Sequence, residues 1–208
     1  VIEYDFEPVR GLPGTLPPGE WIVWQASPDW PAFRRSALHA RWLALYFAVL
    51  VVAALASGNA VGAAAIAGAG VILQGLLTLF AWAVARTTVY TLTNKRLVLR
   101  IGVALGKCVN LPLAQIAAAD LRSHGGMAGD IALALKGPHR LGYAMLWPHA
   151  RPWHLSCPQP MLRALVDAPR LAQALAQACA AAAPAGVVRA TAPTPDAAPG
   201  PALHGAAA

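Results

Sequence analysis

The stretch RTTVYTLTNKRLVLRIG, Arg86–Gly102, decides the fold. Thr88–Thr93 and Arg96–Ile101 are two β-prone runs joined at Asn94-Lys95, and asparagine accepts the positive φ of a tight turn. In the second run Leu97, Leu99 and Ile101 share one face, while Arg96, Val98 and Arg100 share the other. This basic hairpin begins where a charge-free run, Trp42–Ala85, stops.

Working backwards, that run is too long for one membrane helix, since about 20 residues cross a ~30 Å hydrocarbon core. Ser57-Gly58-Asn59 is a turn signal in its middle. The expectation is a transmembrane hairpin over 37–85, with one helix from Ala37 to Ala56 and an antiparallel one from Val61 to Ala85. Arg34, Arg35 and Arg41 precede the charge-free run, and Arg86, Lys95, Arg96 and Arg100 follow it. The turn carries no charge, so both ends face the cytoplasm by the positive-inside rule. Trp42 and Trp82 fall near those ends, at headgroup level. These nine residues are the candidate headgroup contacts, with anionic lipid favoured by the basic excess. The second helix is rich in small residues, suited to packing on the first helix or on another protein's helix, and Gln74 is its interhelical hydrogen-bonding amide. No carboxylate, Lys, Arg or His lies within the charge-free run Trp42–Ala85, which argues against a proton or ion pathway.

The totals agree. Of 208 residues only 12% are charged, against about a quarter in ordinary domains. Mean hydropathy is +0.50. Residues 1–41 hold four arginines against five acids, whereas 86–208 hold twelve basic residues against four acids. Cys108, Cys157 and Cys179 are scattered and read as small, half-buried thiols in a reducing compartment. No secretory leader is read in the first forty residues.

The cytoplasmic part is expected over 86–183, with further strands at Cys108–Leu113, Ile116–Arg122, Asp130–Lys136 and Arg140–Trp147. Turn signals between them suggest a small barrel or sandwich. A helix capped by Asp167, with Pro169 in its first turn, carries Leu171, Leu175 and Cys179 on one stripe. The segment 1–36 supplies a strand, IVWQA within GEWIVWQASPDW, that pairs with the later sheet. The Ala/Pro-rich tail 184–208 reads as disordered. The fold class is therefore α+β: a two-helix transmembrane hairpin plus a small β-barrel or sandwich with a C-terminal helix.

No G-x-S-x-G, P-loop, dinucleotide fingerprint or metal-ligand spacing occurs. Carboxylates are scattered, so acid–base catalysis has little to use. The expectation is a protein with no catalytic residues, no metal, no cofactor and no nucleic-acid partner. One stretch stands out: LWPHARPWHL, Leu146–Leu155, with two Trp, two Pro, two His and one Arg. Trp and Arg are enriched in binding hot spots. Trp147, His149, Arg151 and Trp153 are the candidate partner-binding residues; the competing reading is a loop whose indoles pack under the barrel rim or in the headgroup layer.

The run Tyr90-Thr91-Leu92-Thr93-Asn94-Lys95-Arg96-Leu97-Val98-Leu99-Arg100-Ile101-Gly102 resembles the signature of membrane-anchored bacterial PH-like domains. Within that group the stretches 3–30, 85–105 and 146–176 are similar to photosynthetic complex assembly proteins of purple phototrophic bacteria. The resemblance implies a PH-like barrel with a capping helix and a non-enzymatic role in the inner, intracytoplasmic membrane, with both termini cytoplasmic. The implied partners are subunits of the reaction centre and its core light-harvesting antenna, LH1, with a homodimer as a further candidate. The alternative is a lipid-binding or scaffolding PH-like membrane protein not tied to photosynthesis.

Overall fold

The computed structural model describes residues 9–103, 106–124, 127–137, 139 and 141–182; the tail expected from Pro184 onward lies outside them. In chain order the elements are β1 (Ile22–Ala26), α1 (Trp30–Ser36), α2 (Ala40–Ala56), α3 (Ala60–Thr87), β2 (Val89–Thr93), β3 (Arg96–Ile101), β4 (Lys107–Pro112), β5 (Ile116–Ser123), β6 (Gly129–Leu135), α4 (Tyr143–Leu146), β7 (Met161–Leu165) and α5 (Ala168–Ala182).

The strands form two antiparallel sheets, β1-β2-β3-β4 and β5-β6-β7. Their facing sides enclose the core. Tyr90, Leu92, Leu97, Leu99 and Ile101 from the first sheet meet Ile131, Leu133 and Leu162 from the second. The alternation read in β3 and β6 thus points inward as expected. Helix α5 closes one end with Leu171 and Leu175, and Cys179 packs alongside. All of β2 is buried. Its non-core side is covered by the N-terminal segment: Gln25 Nε2 donates to Thr91 Oγ1 at 2.8 Å, and Gly11 lies over Val89. At Gly11, φ is +88° and a Cβ would stand 2.5 Å from Val89 Cγ1, so only glycine fits.

Between β1 and β2 the chain leaves the sheet for three helices. Helix α1 is capped by Asp29, whose Oδ2 accepts from Ala32 N–H at 3.0 Å, and proline occupies its first turn. Phe33 and Ala32 of α1 are buried against Ala81 and Val84 of α3 and Ala164 of β7. Helices α2 and α3 run antiparallel. Gln74 Nε2 donates to Ala40 O at 2.9 Å, and a Cβ on Gly70 would lie 3.0 Å from the Phe47 ring. Asn59 caps α3 through Gly62 N–H at 2.8 Å.

Among the described residues helix α3 alone is long and apolar enough to cross a bilayer; α2 meets that test only joined to α1, from which it is bent by 59°. The first helix therefore does not start at Ala37. The chain breaks at His39, which takes left-handed φ of 52°, and α2 begins at Ala40. Two further expectations are corrected. Across its described residues the stretch 140–147 is not a strand: Tyr143–Leu146 form one helical turn, set between Gly142 and Pro148. Met161–Leu165, not anticipated, is the third strand of the second sheet and pairs with β6.

Candidate functional site

The Leu146–Leu155 loop crosses from the second sheet to the helices. Its residues separate into an anchor and a surface. His149 is wholly buried, so it is no contact for a partner, contrary to expectation. Its Nδ1 lies 2.8 Å from Tyr90 Oη and its Nε2 lies 3.2 Å from Thr88 Oγ1. Tyr90 Oη already accepts from Arg163 N–H at 3.1 Å. The phenol proton is then free to go to Nδ1, leaving the ring neutral with its own proton on Nε2, donated to Thr88. Burial, with the Arg163 charge adding to it, pushes His149 down to about 3. Burial also raises the Tyr90 phenol. Phe33 of α1 packs on the imidazole, ring centroids 5.9 Å apart. His149 is thus a peg that joins helix α1, strand β2 and the loop.

The other three residues reach outward. Trp147 is half exposed and stacks on Phe80 of α3, centroids 5.5 Å apart and planes 30° from parallel. Trp153 is 92% exposed, and its backbone sits at φ of 66°. A bulky residue at positive φ carries a cost of roughly 1–2 kcal/mol, so the fold holds this indole in water on strained backbone. Arg151 donates to Asp120 Oδ2 at 2.7 Å and to Gln159 Oε1 at 2.9 Å. Its guanidinium is tied to β5 as well as facing solvent.

The expected headgroup residues also separate. Arg34 NH1 donates to Thr78 Oγ1 at 2.9 Å, and the Arg86 guanidinium lies 5.2 Å over the Trp82 ring. With Arg35, Arg41 and Trp42 at the α1–α2 elbow, they gather at one end of the helix pair. Arg100 faces Val89 across the β2–β3 pair, next to the end of α3. Lys95 and Arg96 do not join them, because the β2–β3 turn lies about 20 Å along the strands from α3 at 3.3 Å per residue. Arg96 Nε instead binds buried Glu20 Oε1 at 2.8 Å, which also accepts from Thr93 Oγ1 at 2.8 Å. Burial raises the Glu20 carboxyl, but the hydrogen bonds from Arg96 and Thr93 and the nearby charges outweigh it and hold it below the usual carboxylate range. This pair fastens the chain before β1 to the β2–β3 turn.

Three residues that sequence reasoning did not select complete the region. Asp130 of β6 accepts from Ala164 N–H at 2.7 Å and meets His124 Nε2 at 2.7 Å. Arg163 of β7 is buried, and burial lowers it from the ordinary guanidinium range against the pull of Asp130. Arg122 of β5 stands nearby. No spacing signal links these residues, since each comes from a different strand. Among the described residues no group of three or more His, Cys, Asp or Glu could hold a metal ion.

The seven strands in two sheets with a C-terminal capping helix define the PH architecture, here with helices let in between the first and second strands. The bacterial PH domain family matches residues 40–178, and the chain belongs to that family. A relative from Rhodobacter capsulatus, described as an uncharacterized 23.7 kDa protein in the puhA 5′ region, is 37% identical over 189 residues, covering 86% of this chain and 88% of the relative. No solved structure matches.

Proposed function

We propose that this chain is an integral-membrane member of the bacterial PH domain family that assists assembly of the photosynthetic reaction centre and its core light-harvesting antenna, as the resemblance to the photosynthetic complex assembly protein PuhB implies. Its work is contact, not chemistry. The photosynthetic part of this reading is supported by the Rhodobacter capsulatus relative, whose description places it in the puhA 5′ region.

The membrane part rests on a parity argument. Strands β1 and β2 are hydrogen-bonded neighbours in one sheet, so the segment between them must leave and return on one side. Helices α2 and α3 then enter the bilayer together as a hairpin. At 1.5 Å per residue α3 is about 42 Å long, more than a ~30 Å core needs. Its surplus is the last turns, where Ala81 and Val84 are buried against α1. The flanking arginines set both ends in the cytoplasm and the Gly58 tip on the far side. The inner membrane of a phototroph is the corresponding location.

Trp147, Arg151 and Trp153 are the docking residues in this reading, and Trp153 is the most exposed of them. The assignment is tested by affinity purification of the tagged chain from phototrophically grown cells. Reaction-centre or antenna subunits are expected with it, and their absence refutes the function. A cysteine placed at Gly58 should react only with reagent added outside the cytoplasm; labelling from the cytosol refutes the topology.

A further inference from the structure

Between the α1–α2 elbow and the outward face of the β5-β6-β7 sheet lies a cleft of about 1310 Å³. Five arginines line it: Arg35 and Arg41 from the elbow, Arg122 and Arg163 from the sheet, and Arg151 from the loop. Two carboxylates oppose them, and both are already engaged. Asp120 is held by Arg151, and Asp130 by Ala164 N–H and His124. Among the described residues Arg35, Arg41 and Arg122 have no ion-pair partner. The cleft therefore keeps a net positive charge.

Two polar atoms in its wall lack acceptors or donors from the protein. Arg163 is only 8% exposed. One of its terminal nitrogens donates to Ala150 O at 3.2 Å, but its Nε, like the buried Ser36 Oγ, has no partner. Both atoms lie behind the lining, out of reach of a ligand; the groups that face the cleft are the exposed guanidinium groups of Arg35, Arg41 and Arg122, and these ask for an oxygen-rich anion. Arginine's fixed fork suits phosphate in particular.

The opposite wall is different. Trp42 and Leu45 of α2 face the same cleft and are 71% and 52% exposed. The lining thus grades from guanidinium groups at the sheet to hydrocarbon on the helix. A small inorganic anion would satisfy one half only. A ligand that is anionic at one end and apolar at the other satisfies both.

We infer that this cleft seats the headgroup phosphate of an anionic phospholipid, with its acyl chains leaving along Trp42 and Leu45 into the leaflet. The inference rests on the proposed membrane placement of α2 and α3. It assigns a ligand role to Arg122, and the cleft shares Arg151 and Trp153 with the docking face. A lipid held there would bridge the elbow and the second sheet, fixing the PH domain's tilt on the bilayer.

The test uses the full chain in neutral detergent, mixed with phosphatidylglycerol, with phosphatidylcholine, or with phosphatidylglycerol plus millimolar inorganic phosphate, and read by native mass spectrometry. Phosphatidylglycerol should be retained about tenfold over phosphatidylcholine. Arg35→Gln with Arg122→Gln, both exposed and outside the core, should reduce that retention about tenfold or more, taking each basic group near a lipid surface at its usual worth. The charge-matched pair Lys95→Gln with Lys107→Gln, remote from the cleft, should leave it unchanged. Equal retention of the two lipids, or no effect of the arginine pair, overturns the inference. Full displacement by inorganic phosphate also overturns it, in favour of a free-phosphate site. Carbonate extraction of native membranes is run in parallel: release of the chain refutes the membrane placement, and is read independently of the lipid preference in detergent.

Discussion

Tyr90 Oη and His149 Nδ1 lie 2.8 Å apart in a fully buried setting, and this contact couples the first strand after the helical hairpin to the loop carrying Trp147 and Trp153. The same phenol oxygen receives the N–H of Arg163. One hydroxyl therefore serves two partners on two separate segments of the second half of the chain.

Tyr90→Phe removes that hydroxyl and leaves His149 Nδ1 and the Arg163 N–H buried without partners. A loss of roughly 2–4 kcal/mol is expected from the desolvation of two such groups. Denaturation of the full chain in detergent measures it, with an unchanged midpoint as the contrary result.

His149 also imposes a pH dependence. Folded, it stays neutral until about pH 3; unfolded, it takes a proton near its ordinary 6.5. Its stabilising contribution is complete above 6.5 and declines as pH falls from there towards 3, by about 1.4 kcal/mol per unit. His149→Gln should flatten the stability profile across that window. A profile identical to the parent's would contradict the buried neutral ring.

Glu20 acts in a lower window. Its carboxyl is held below the ordinary 4.5, so its contribution is present above 4.5 and is lost as pH falls through the lower folded value. Glu20→Gln should lower stability at neutral pH by roughly 1–3 kcal/mol, since Arg96 loses a charged hydrogen-bond partner, and should lessen the loss below pH 4.5. Urea titrations at pH 7 and pH 4 distinguish this from a purely steric effect.

Gly70 faces Phe47 across the helix pair, whereas Gly68 and Gly75 have nothing within 4 Å of the position a Cβ would take. Gly70→Leu should force the helices apart and cost roughly 1–3 kcal/mol. Gly68→Leu should be neutral or stabilising, because glycine is a poor helix former. The order of melting temperatures decides; equal effects at the two sites would contradict the packing described.

Trp153→Ala should change stability by less than about 0.5 kcal/mol, as exposed positions do, yet abolish co-purification of the photosynthetic core. Arg151→Ala is a poorer probe, since its guanidinium also holds Asp120 and Gln159. Retention of the core subunits by Trp153→Ala would remove the indole from the docking face.

The β2–β3 pair in Arg86–Gly102 was legible because its strands alternate cleanly, but Asn94 does not take the positive φ expected of it; its side chain instead accepts from Trp21 N–H at 3.2 Å and donates to Gly19 O at 3.0 Å. Strand β7 was not: Met161-Leu162-Arg163-Ala164-Leu165 are good helix formers, and only pairing with β6 makes them a strand. The reverse error, a strand at LGYAMLW, arose because large–small alternation over so short a window fits both periods. Helix α1 did carry its signal, Asp29 before Trp30-Pro31, but lay in a segment read only for its strand. Of the site, the aromatic loop was visible as a cluster in one stretch. The inward turn of His149 was not, since it depends on Tyr90 and Thr88. The arginine cleft was beyond sequence reasoning because its walls come from separate elements.

The placement of the helices between β1 and β2 has a consequence for biogenesis. Trp24 leaves the ribosome long before Leu92, the residue it pairs with, and all three helices are made in the interval. The first sheet therefore cannot close until α1, α2 and α3 have all been made. Completion of the domain reports that the whole helical insert has been made, and a chain halted within the insert would display the unpaired β1 edge that carries Trp24.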